Sequence, residues 1–490
     1  MIATNSKVLF NTLSQFGGKI LAIAASFVVL KIVTQFGTEF YGDYVTTYEF
    51  LAFFGILADA GLFAIAVREM SRTKEKTEFI LGNILSMRLM LILGVMSLAG
   101  VCAQFVPSYS PVVKAGIWIT ALSMGLTIIA GTLSSVLQAR MKIQFFSGSM
   151  VIAKLSLAGI VFWISQTTLG GNLLLNFLWA GVVSNVIFAA AVAWFASREI
   201  KISLRWNWDF LRDTLKVSLP YGLALILQTL YLRLDILLIS LILGSAAVGT
   251  YGASTRVMES MLVLGVYFGQ AMLPKISAEE TDTLAVGRSL VWAGEKLLLL
   301  ALPVIIGIEI FAPDIIRLIS SEEFIGTAGM LGSDAILRIL VPTIFFAFFN
   351  QLFSFTLVAK NRQMYLLIVN GTALAINAAL NIWLLSTYGI MAAALSTVFC
   401  EIVVFYLLSR EINKHWKLPF SIKNILRIIG ANIIILAELL YTPAGESLFL
   451  GICVTGVTYV ALIAFWRKDF FPPSQQLGTA ATEDFGSLSS

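Results

Sequence analysis

Residues 36–44 read FGTEFYGDY, and residues 243–251 read LGSAAVGTY. Both stretches hold a glycine, a second glycine five positions later and a tyrosine two positions beyond that. A shift of 207 residues superimposes them, and the same shift carries Arg68 onto Lys275. This coincidence raises the question of whether the chain contains two copies of one structural unit.

The composition is that of an integral membrane protein. Of the 490 residues, 58% are apolar and 12% are charged, and the mean hydropathy is +0.89, far outside the range of soluble domains. The apolar runs are about 20 residues long, which is enough for a helix to cross ~30 Å of hydrocarbon. They lack the alternation of barrel strands, so the fold class is all-α and polytopic. The three cysteines and the single histidine form no metal-binding pattern, so we expect neither a metal nor another cofactor.

Apolar runs between charged or turn-rich breaks predict about fourteen spans. Their centres lie near residues 21, 56, 93, 125, 157, 184, 230, 262, 299, 345, 375, 399, 433 and 456. Of the 33 lysines and arginines, 22 fall in one set of alternate loops, and only Lys114 and Arg317 fall in the opposite set. Because basic loops stay on the cytoplasmic side, this asymmetry predicts an even number of spans with both termini in the cytoplasm. The net charge of +5 follows from these loops and needs no nucleic acid as a partner.

The shift of 207 maps the loop after span 1 onto the loop after span 7. Six spans separate equivalent positions, so the two halves have the same orientation, as in parallel transporter repeats. We therefore expect six-helix bundles at 1–205 and 206–410, two additional helices at 411–470 and a polar cytoplasmic tail at 471–490. The matched glycines predict tight turns at the outer face, and the matched tyrosines predict anchors at the lipid–water interface.

Several basic residues lie where the bilayer should not tolerate them. A charge at the middle of a span costs roughly 2.5–3.5 kcal/mol, so it normally faces a partner or a watery cavity. Lys19 shares a polar stripe with Asn11 and Gln15 on span 1, and Lys154 and Arg338 have no acid one turn away. The candidate cavity cations are Lys19, Lys154, Arg233, Arg256 and Arg338. For Arg233 with Asp235 and for Arg256 with Glu259, a purely structural ion pair is an alternative. Arg88 and Arg427 are expected to reach the interface from helix ends.

Acids and amides occur inside the spans as well. The shift of 207 sets Glu49 opposite Arg256, so these two residues are candidates for an ion pair that bridges a central cleft as a gate. Asp59 and Asp235 are further candidates for gating or ion coupling. Asn377 and Asn381 lie on one face of span 11, where they either bind sugar hydroxyls or hold helices together.

The chain resembles a known family of exporters. The fourteen spans, the two repeated loops, RLDILLISLILGSAAVGTYGASTRVMES at 233–260 and INAALNIWLLSTYGIMAAALSTV at 376–398 are similar to the polysaccharide flippases of the multidrug/oligosaccharidyl-lipid/polysaccharide exporter superfamily. The resemblance covers residues 1–410 well. Met391 departs from it, because a second glycine is expected at that position.

The resemblance implies a bacterial inner-membrane transporter and not an enzyme. Its two bundles would form a V around a central cavity and carry an undecaprenyl-pyrophosphate-linked oligosaccharide repeat unit to the outer leaflet by alternating access, as in O-antigen and other polysaccharide biosynthesis. The five cations listed above would bind the pyrophosphate, Asn377 and Asn381 the sugars, and Glu49, Asp59 and Asp235 would serve as gating or ion-coupling carboxylates. The sequence has no nucleotide-binding loop, so a built-in ATPase does not drive the motion, and coupling to protons or sodium is a candidate energy source. A polysaccharide polymerase and assembly proteins are the expected partners.

Two other functions remain alternatives. A cation-coupled multidrug antiporter of the same fold needs an unpaired acid in an apolar cavity, and Asp59 or Glu401 fits that need. Buried basic residues, however, would repel its cationic cargo. A membrane glycosyltransferase needs large outer loops or a carboxylate motif in a loop, whereas the outer loops here are short.

Overall fold

The computed structural model describes residues 2–59, 61–167, 170–279, 283–327, 330–419 and 421–465 of the 490-residue chain. These residues form sixteen α-helices and four short 3-10 helices, and the described ranges contain no β-strand. The predicted all-α fold class is therefore confirmed. The 3-10 helices are Thr34–Phe36, Lys74–Lys76, Glu322–Phe324 and Pro443–Glu446.

The first of two compact units comprises Met1–Ser260, Ile316–Ile339 and Met364–Val404. Its helices are α1 (Ile2–Val33), α2 (Thr38–Asp59), α3 (Leu62–Arg72), α4 (Thr77–Gln104), α5 (Pro111–Ala139), α6 (Ile143–Gln166), α7 (Leu173–Ser197), α8 (Trp208–Ile242), the start of α9 (Ser245–Ala278), most of α11 (Ser333–Leu340), α13 (Met364–Tyr388) and the start of α14 (Ile390–His415). Within this unit α5 packs against α4 and α7, α1 against α6, and α8 against α2 and α13.

The second compact unit comprises Met261–Ile315, Leu340–Gln363 and Phe405–Ser490. It contains the remainder of α9 and α14, most of α10 (Thr283–Ile319), α12 (Thr343–Ala359), α15 (Ile422–Tyr441) and α16 (Leu448–Phe465). Its packing is rich in phenylalanine, since the rings of Phe345 and Phe349 on α12 both lie 6.1 Å from that of Phe405. Helix α10 is kinked at Phe311, two residues before Pro313, as expected where proline removes a backbone hydrogen bond.

Local sequence explains where several helices begin. Ser110 caps α5 by accepting a hydrogen bond from the Val113 amide, and Pro111 follows at the first helical position. Asn172 and Asn207 cap α7 and α8 in the same way. Between these caps the chain is apolar, and in lipid such a run must satisfy its backbone groups internally, which only a helix achieves.

Each of the fourteen predicted centres lies in an α-helix, with α3 and α11 as short additional helices. Eleven helices in the described residues are long and apolar enough to cross a membrane, and α11 with α12 makes a twelfth if that broken pair is one span. The protein is therefore a multi-pass membrane protein. The two predicted spans outside this set are α2 and α8, both of which carry the charged side chains of the site below.

The first glycine of each repeated loop makes a turn. Gly37 has φ +98° and Gly244 has φ +85°, in the region that other residues rarely adopt. Gly37 ends the connection into α2, and Gly244 ends the connection into α9. The predicted tight turns are present at these two positions.

The second glycine of each loop has a different role. Gly42 and Gly249 lie inside α2 and α9, where a Cβ on either would overlap a carbonyl oxygen of the facing segment, that of Ser245 or Thr38. The two repeated segments therefore pack directly against each other, backbone to backbone. Tyr251, two residues after Gly249, is 1% exposed, so the predicted interfacial anchor is wrong for this tyrosine.

Candidate functional site

Helix α8 carries two charged residues, Arg233 and Asp235, within an apolar segment. Successive residues of an α-helix are rotated by about 100°, so a spacing of two places the two side chains on opposite faces. The helix packs against α2 and against α13. Its two faces accordingly build two polar sites with different partners.

The first site is a ring of four side chains, the charged quartet: Glu49 of α2, Arg233 of α8, and Arg256 and Glu259 of α9. Arg233 Nη1 lies 2.8 Å from both Glu49 carboxylate oxygens and 3.0 Å from Glu259 Oε1. Arg256 Nη2 lies 2.8 Å from Glu49 Oε1, and its Nη1 lies 2.8 Å from Glu259 Oε2. Each arginine contacts both acids, and the quartet is electrically neutral.

The members of the quartet differ in burial. The Glu49 side chain is 4% exposed, whereas those of Arg233, Arg256 and Glu259 are 28%, 36% and 39% exposed. A buried carboxylate stays ionised only when it is paired and hydrogen-bonded, and two guanidinium groups meet that need at Glu49. The Glu49–Arg256 ion pair suggested by the repeat is present in the structure, and its role as a gate stays a prediction.

Two half-buried lysines lie next to the quartet. Lys19 is on α1 and Lys154 is on α6, and these two helices pack together. Lys154 interacts electrostatically with Lys19 and Arg256, and Lys19 also acts on Glu259. Among the residues whose side chains are described, neither ammonium group makes a salt bridge. The lysines therefore add two positive charges to a neutral quartet.

The second site, the Asp235 cluster, consists of Asp235, Tyr251, Asn377, Asn381 and Thr397. The Thr397 hydroxyl donates a hydrogen bond to Asp235 Oδ2, and the Tyr251 hydroxyl donates to the same oxygen at 3.1 Å. Asn381 Nδ2 donates to Asp235 Oδ1 at 3.0 Å and to the Asn377 Oδ1 at 3.2 Å. Helices α8, α9, α13 and α14 all contribute to this cluster.

The Asp235 carboxylate is held by neutral groups. It is 6% exposed, and no lysine, arginine or histidine in the described parts of the chain forms an ion pair with it. The buried Asn381 Oδ1 has no hydrogen-bond partner among the described residues. Carboxylate, amide and hydroxyl oxygens are the kinds of ligand that small, hard cations prefer in proteins.

A second buried acid lies one turn further along the same pair of helices. The Tyr231 hydroxyl donates a hydrogen bond to Glu401 Oε1 at 2.8 Å, and both side chains are less than 10% exposed. Tyr231 is one turn before Asp235 on α8, and Glu401 is one turn after Thr397 on α14. The face of α8 opposite Arg233 is therefore lined with acids whose described hydrogen bonds come from neutral donors.

Asp59 belongs to neither site. It forms an ion pair with Arg88, whose Nη1 donates to Thr132 Oγ1 at 2.8 Å. Arg88 is 1% exposed, so the prediction that it reaches the membrane interface is wrong. The arginine instead lies among α2, α4 and α5, because a nearby carboxylate and hydroxyl solvate it inside the protein.

The structure therefore brings together four of the five predicted cations, Lys19, Lys154, Arg233 and Arg256. Arg338 lies exposed on α11. Asn377 and Asn381 are 1% and 0% exposed and face Asp235. In this conformation they hold helices together around an acid, which corresponds to the packing alternative and not to contact with a sugar.

Sequence reasoning missed several members of both sites. The sequence spacing pairs Glu259 with Arg256, whereas in the structure Glu259 contacts Arg233 as well. No sequence pattern marks Thr397 as a site residue, because threonine is common in apolar helices. Tyr251 stands out in the repeated loop, but only the structure shows that this tyrosine is buried and contacts Asp235.

Comparison with solved structures identifies the fold. The chain matches "Lipid II flippase MurJ, inward closed conformation" with a TM-score of 0.76 and 17% identity over 94% of this chain and 99% of that one. An inward-facing multidrug resistance MATE family transporter of the MOP superfamily gives 0.65 and 14%, over 82% and 98% of the two chains. A MOP superfamily transporter from Pyrococcus furiosus gives 0.61 and 15%, over 83% and 95%. All three are flippases or transporters rather than enzymes.

Comparison of sequences identifies the family. No curated protein sequence matches the chain. The family model described as "Polysaccharide biosynthesis protein" matches residues 37–328, which is more than half of the chain and includes the charged quartet. The protein therefore belongs to this family of polysaccharide biosynthesis proteins and has the fold of the MOP superfamily flippases and transporters.

Proposed function

We propose that the protein is a flippase that carries an undecaprenyl-pyrophosphate-linked oligosaccharide repeat unit from the cytoplasmic to the outer leaflet of the bacterial inner membrane. Its family and its fold support this class of function. The observation that carries the proposal is the pair of lysines, Lys19 and Lys154, beside a neutral quartet in membrane-spanning helices.

The charges indicate an anionic cargo. Each uncompensated charge within the bilayer costs roughly 2.5–3.5 kcal/mol on insertion scales, so two such lysines mark a functional site. A pyrophosphate diester carries one negative charge on each phosphate and so matches the two lysines. Charge pairing is strong where water is scarce, and ammonium and guanidinium groups make short hydrogen bonds to phosphate oxygens. A cationic drug would meet repulsion at the same place.

The Asp235 cluster is the proposed binding site for the coupling cation, a proton or a sodium ion. Asp235 would supply the negative charge, and Thr397 and Asn381 would supply neutral oxygen ligands. In this arrangement Asn377 and Asn381 would belong to the cation site and would not contact the sugars. Glu49 paired with Arg256 and Asp59 paired with Arg88 would act in gating, and Arg338 would contact the pyrophosphate during its movement.

The remaining parts of the proposal rest on loop charges and on the family. The concentration of basic residues in alternate loops supports cytoplasmic termini. Alternating access between two parallel-repeat bundles would expose the lysines first to one leaflet and then to the other. A polymerase and assembly proteins would then use the delivered repeat unit.

The test is flipping of a fluorescent isoprenyl-pyrophosphate-linked oligosaccharide in proteoliposomes. The double variant Lys19→Gln/Lys154→Gln is expected to slow flipping about 100-fold, because two charge pairs with the pyrophosphate are lost. Lys216→Gln is the matched control, because this lysine is 62% exposed and pairs only with Asp213 among the described residues. Wild-type protein that exports a cationic dye but does not flip the glycolipid would establish the antiporter instead.

A further inference from the structure

Glu259 binds the two arginines that the cargo would need. Its Oε2 lies 2.8 Å from Arg256 Nη1, and its Oε1 lies 3.0 Å from Arg233 Nη1. One carboxylate oxygen thus faces each guanidinium group, in the way that the oxygens of a bound phosphate would.

The two acids of the quartet are not equivalent. Glu49 is 4% exposed and binds Arg233 through both of its oxygens. If it moved away from Arg233, its carboxylate would be an uncompensated charge in the protein interior. Glu259 is 39% exposed, so water can solvate its carboxylate when another anion takes its place, and its exchange costs less than that of Glu49. Glu49 is the fixed partner of the arginines, and Glu259 is the exchangeable one.

Resting on the proposed function, we infer that Glu259 is an internal competitor that occupies the anion site until the pyrophosphate of the cargo displaces it. The purpose of a competitor follows from where the site lies. The cargo has to be selected from a bilayer in which most anionic headgroups are phosphodiesters with a single negative charge.

A single charge gains little by replacing Glu259, since it exchanges one monoanion for another at the same arginines. A pyrophosphate diester adds a second negative charge, which Lys19 and Lys154 can bind. Glu259 therefore lowers the affinity of the site for every anion, so that an ordinary phospholipid leaves the site empty whereas a ligand with the second negative charge still binds. We assign Glu259 as a specificity-determining residue of the site.

The experiment uses two ligands with the same short isoprenyl chain and the same sugar, joined by a pyrophosphate or by a single phosphate. Dissociation constants for both are measured on the full-length protein in nanodiscs. Wild type is expected to prefer the pyrophosphate compound, and Glu259→Gln is expected to bind the phosphodiester about tenfold more tightly, a change of ~1.4 kcal/mol. The pyrophosphate compound should gain affinity by a similar factor, because neither ligand then has to displace Glu259.

Two variants act as controls. Glu259→Asp keeps the charge and is expected to keep both wild-type affinities within about threefold, so a change seen only in Glu259→Gln comes from the lost charge and not from misfolding. Asp213→Asn makes the same charge change at an acid that is 77% exposed outside the quartet and should leave both affinities unchanged.

The outcomes separate the inference from the proposed function. If wild type binds neither compound, the proposed function fails. If wild type prefers the pyrophosphate compound and Glu259→Gln binds both compounds with wild-type affinity, only the inference fails. If Glu259→Gln loses affinity for both compounds, Glu259 supports the arginines rather than competing for them, and the inference is again overturned.

Discussion

The charged quartet and the Asp235 cluster share helix α8, yet they stabilise charged side chains in opposite ways. The quartet pairs each cation with two anions and leaves three of its four side chains at least 28% exposed. The Asp235 cluster surrounds one carboxylate with neutral donors and leaves it 6% exposed. Exposed ion pairs can exchange partners with a large charged cargo, whereas an enclosed carboxylate admits only an ion that is small enough to enter.

The shared helix suggests how the two sites communicate. Under the proposed function, cargo at the quartet would contact α2, α8 and α9, and a cation at Asp235 would contact α8, α9, α13 and α14. Any movement of α8 or α9 that favours one ligand therefore changes the affinity for the other, and this coupling must be reciprocal. The following variants test whether the division between a cargo site and a cation site holds.

The largest expected effect is that of Asp235→Asn. The substitution keeps the shape of the side chain but removes the charge that would hold the cation, so a cation gradient should no longer shift the conformational equilibrium. Flipping in proteoliposomes under a sodium or proton gradient is expected to fall to the level of protein-free vesicles. Binding of the pyrophosphate ligand measured without sodium and at one fixed pH should change by less than about twofold, because the quartet is intact.

A loss of pyrophosphate binding in Asp235→Asn would show that the Asp235 cluster and the quartet form one binding site. Asp213→Asn again provides the control for a carboxylate lost from α8 outside both sites. If Asp235→Asn still flips the ligand under a cation gradient, the Asp235 cluster does not couple the cation to transport.

The next largest effect is expected within the quartet, on stability. Glu49→Ala leaves two guanidinium groups without their buried partner and should destabilise the protein by about 3 kcal/mol. Glu259→Ala removes a partly exposed acid and should cost less than about 1 kcal/mol. Thermal unfolding of both variants in the same detergent measures the difference, and equal losses would contradict the distinction between a fixed and an exchangeable acid.

A smaller effect is expected for Arg233→Lys. The lysine keeps the positive charge but loses the planar fork that reaches both Glu49 oxygens and Glu259. Affinity for the pyrophosphate ligand is expected to fall about tenfold. Unchanged affinity would show that the quartet acts as a diffuse charge and that its geometry is unimportant.

The helices were predictable, because each depends on information that is local in sequence. Runs of apolar residues set the spans, whereas the division into two parallel bundles stays a prediction. The shift of 207 sets Glu49 opposite Arg256, and these two residues form an ion pair in the structure. In this case a sequence offset corresponds to a spatial neighbour.

Contacts between helices that are not related by the repeat were not predictable. Arg88 lies near a helix end in sequence, and only the positions of α2 and α5 show that Asp59 and Thr132 enclose it. The partners of Asp235 come from three other helices, and nothing in the spacing of Thr397 or Tyr251 links them to α8. Such contacts depend on how helices are rotated against each other, which a single apolar sequence leaves open.

The smallest expected effect, Thr397→Val, tests the Asp235 cluster most selectively. Valine has nearly the shape of threonine, so packing is preserved while one hydrogen bond to the carboxylate and one candidate oxygen ligand are lost. A net hydrogen bond of about 1 kcal/mol corresponds to roughly a fivefold change, so the cation concentration needed for half-maximal flipping should rise by about that factor. Thr397→Ser keeps the hydroxyl and should remain near wild type. If valine and serine have the same effect, the hydroxyl does not contact the cation, and Asp235 with Asn381 would have to bind it alone.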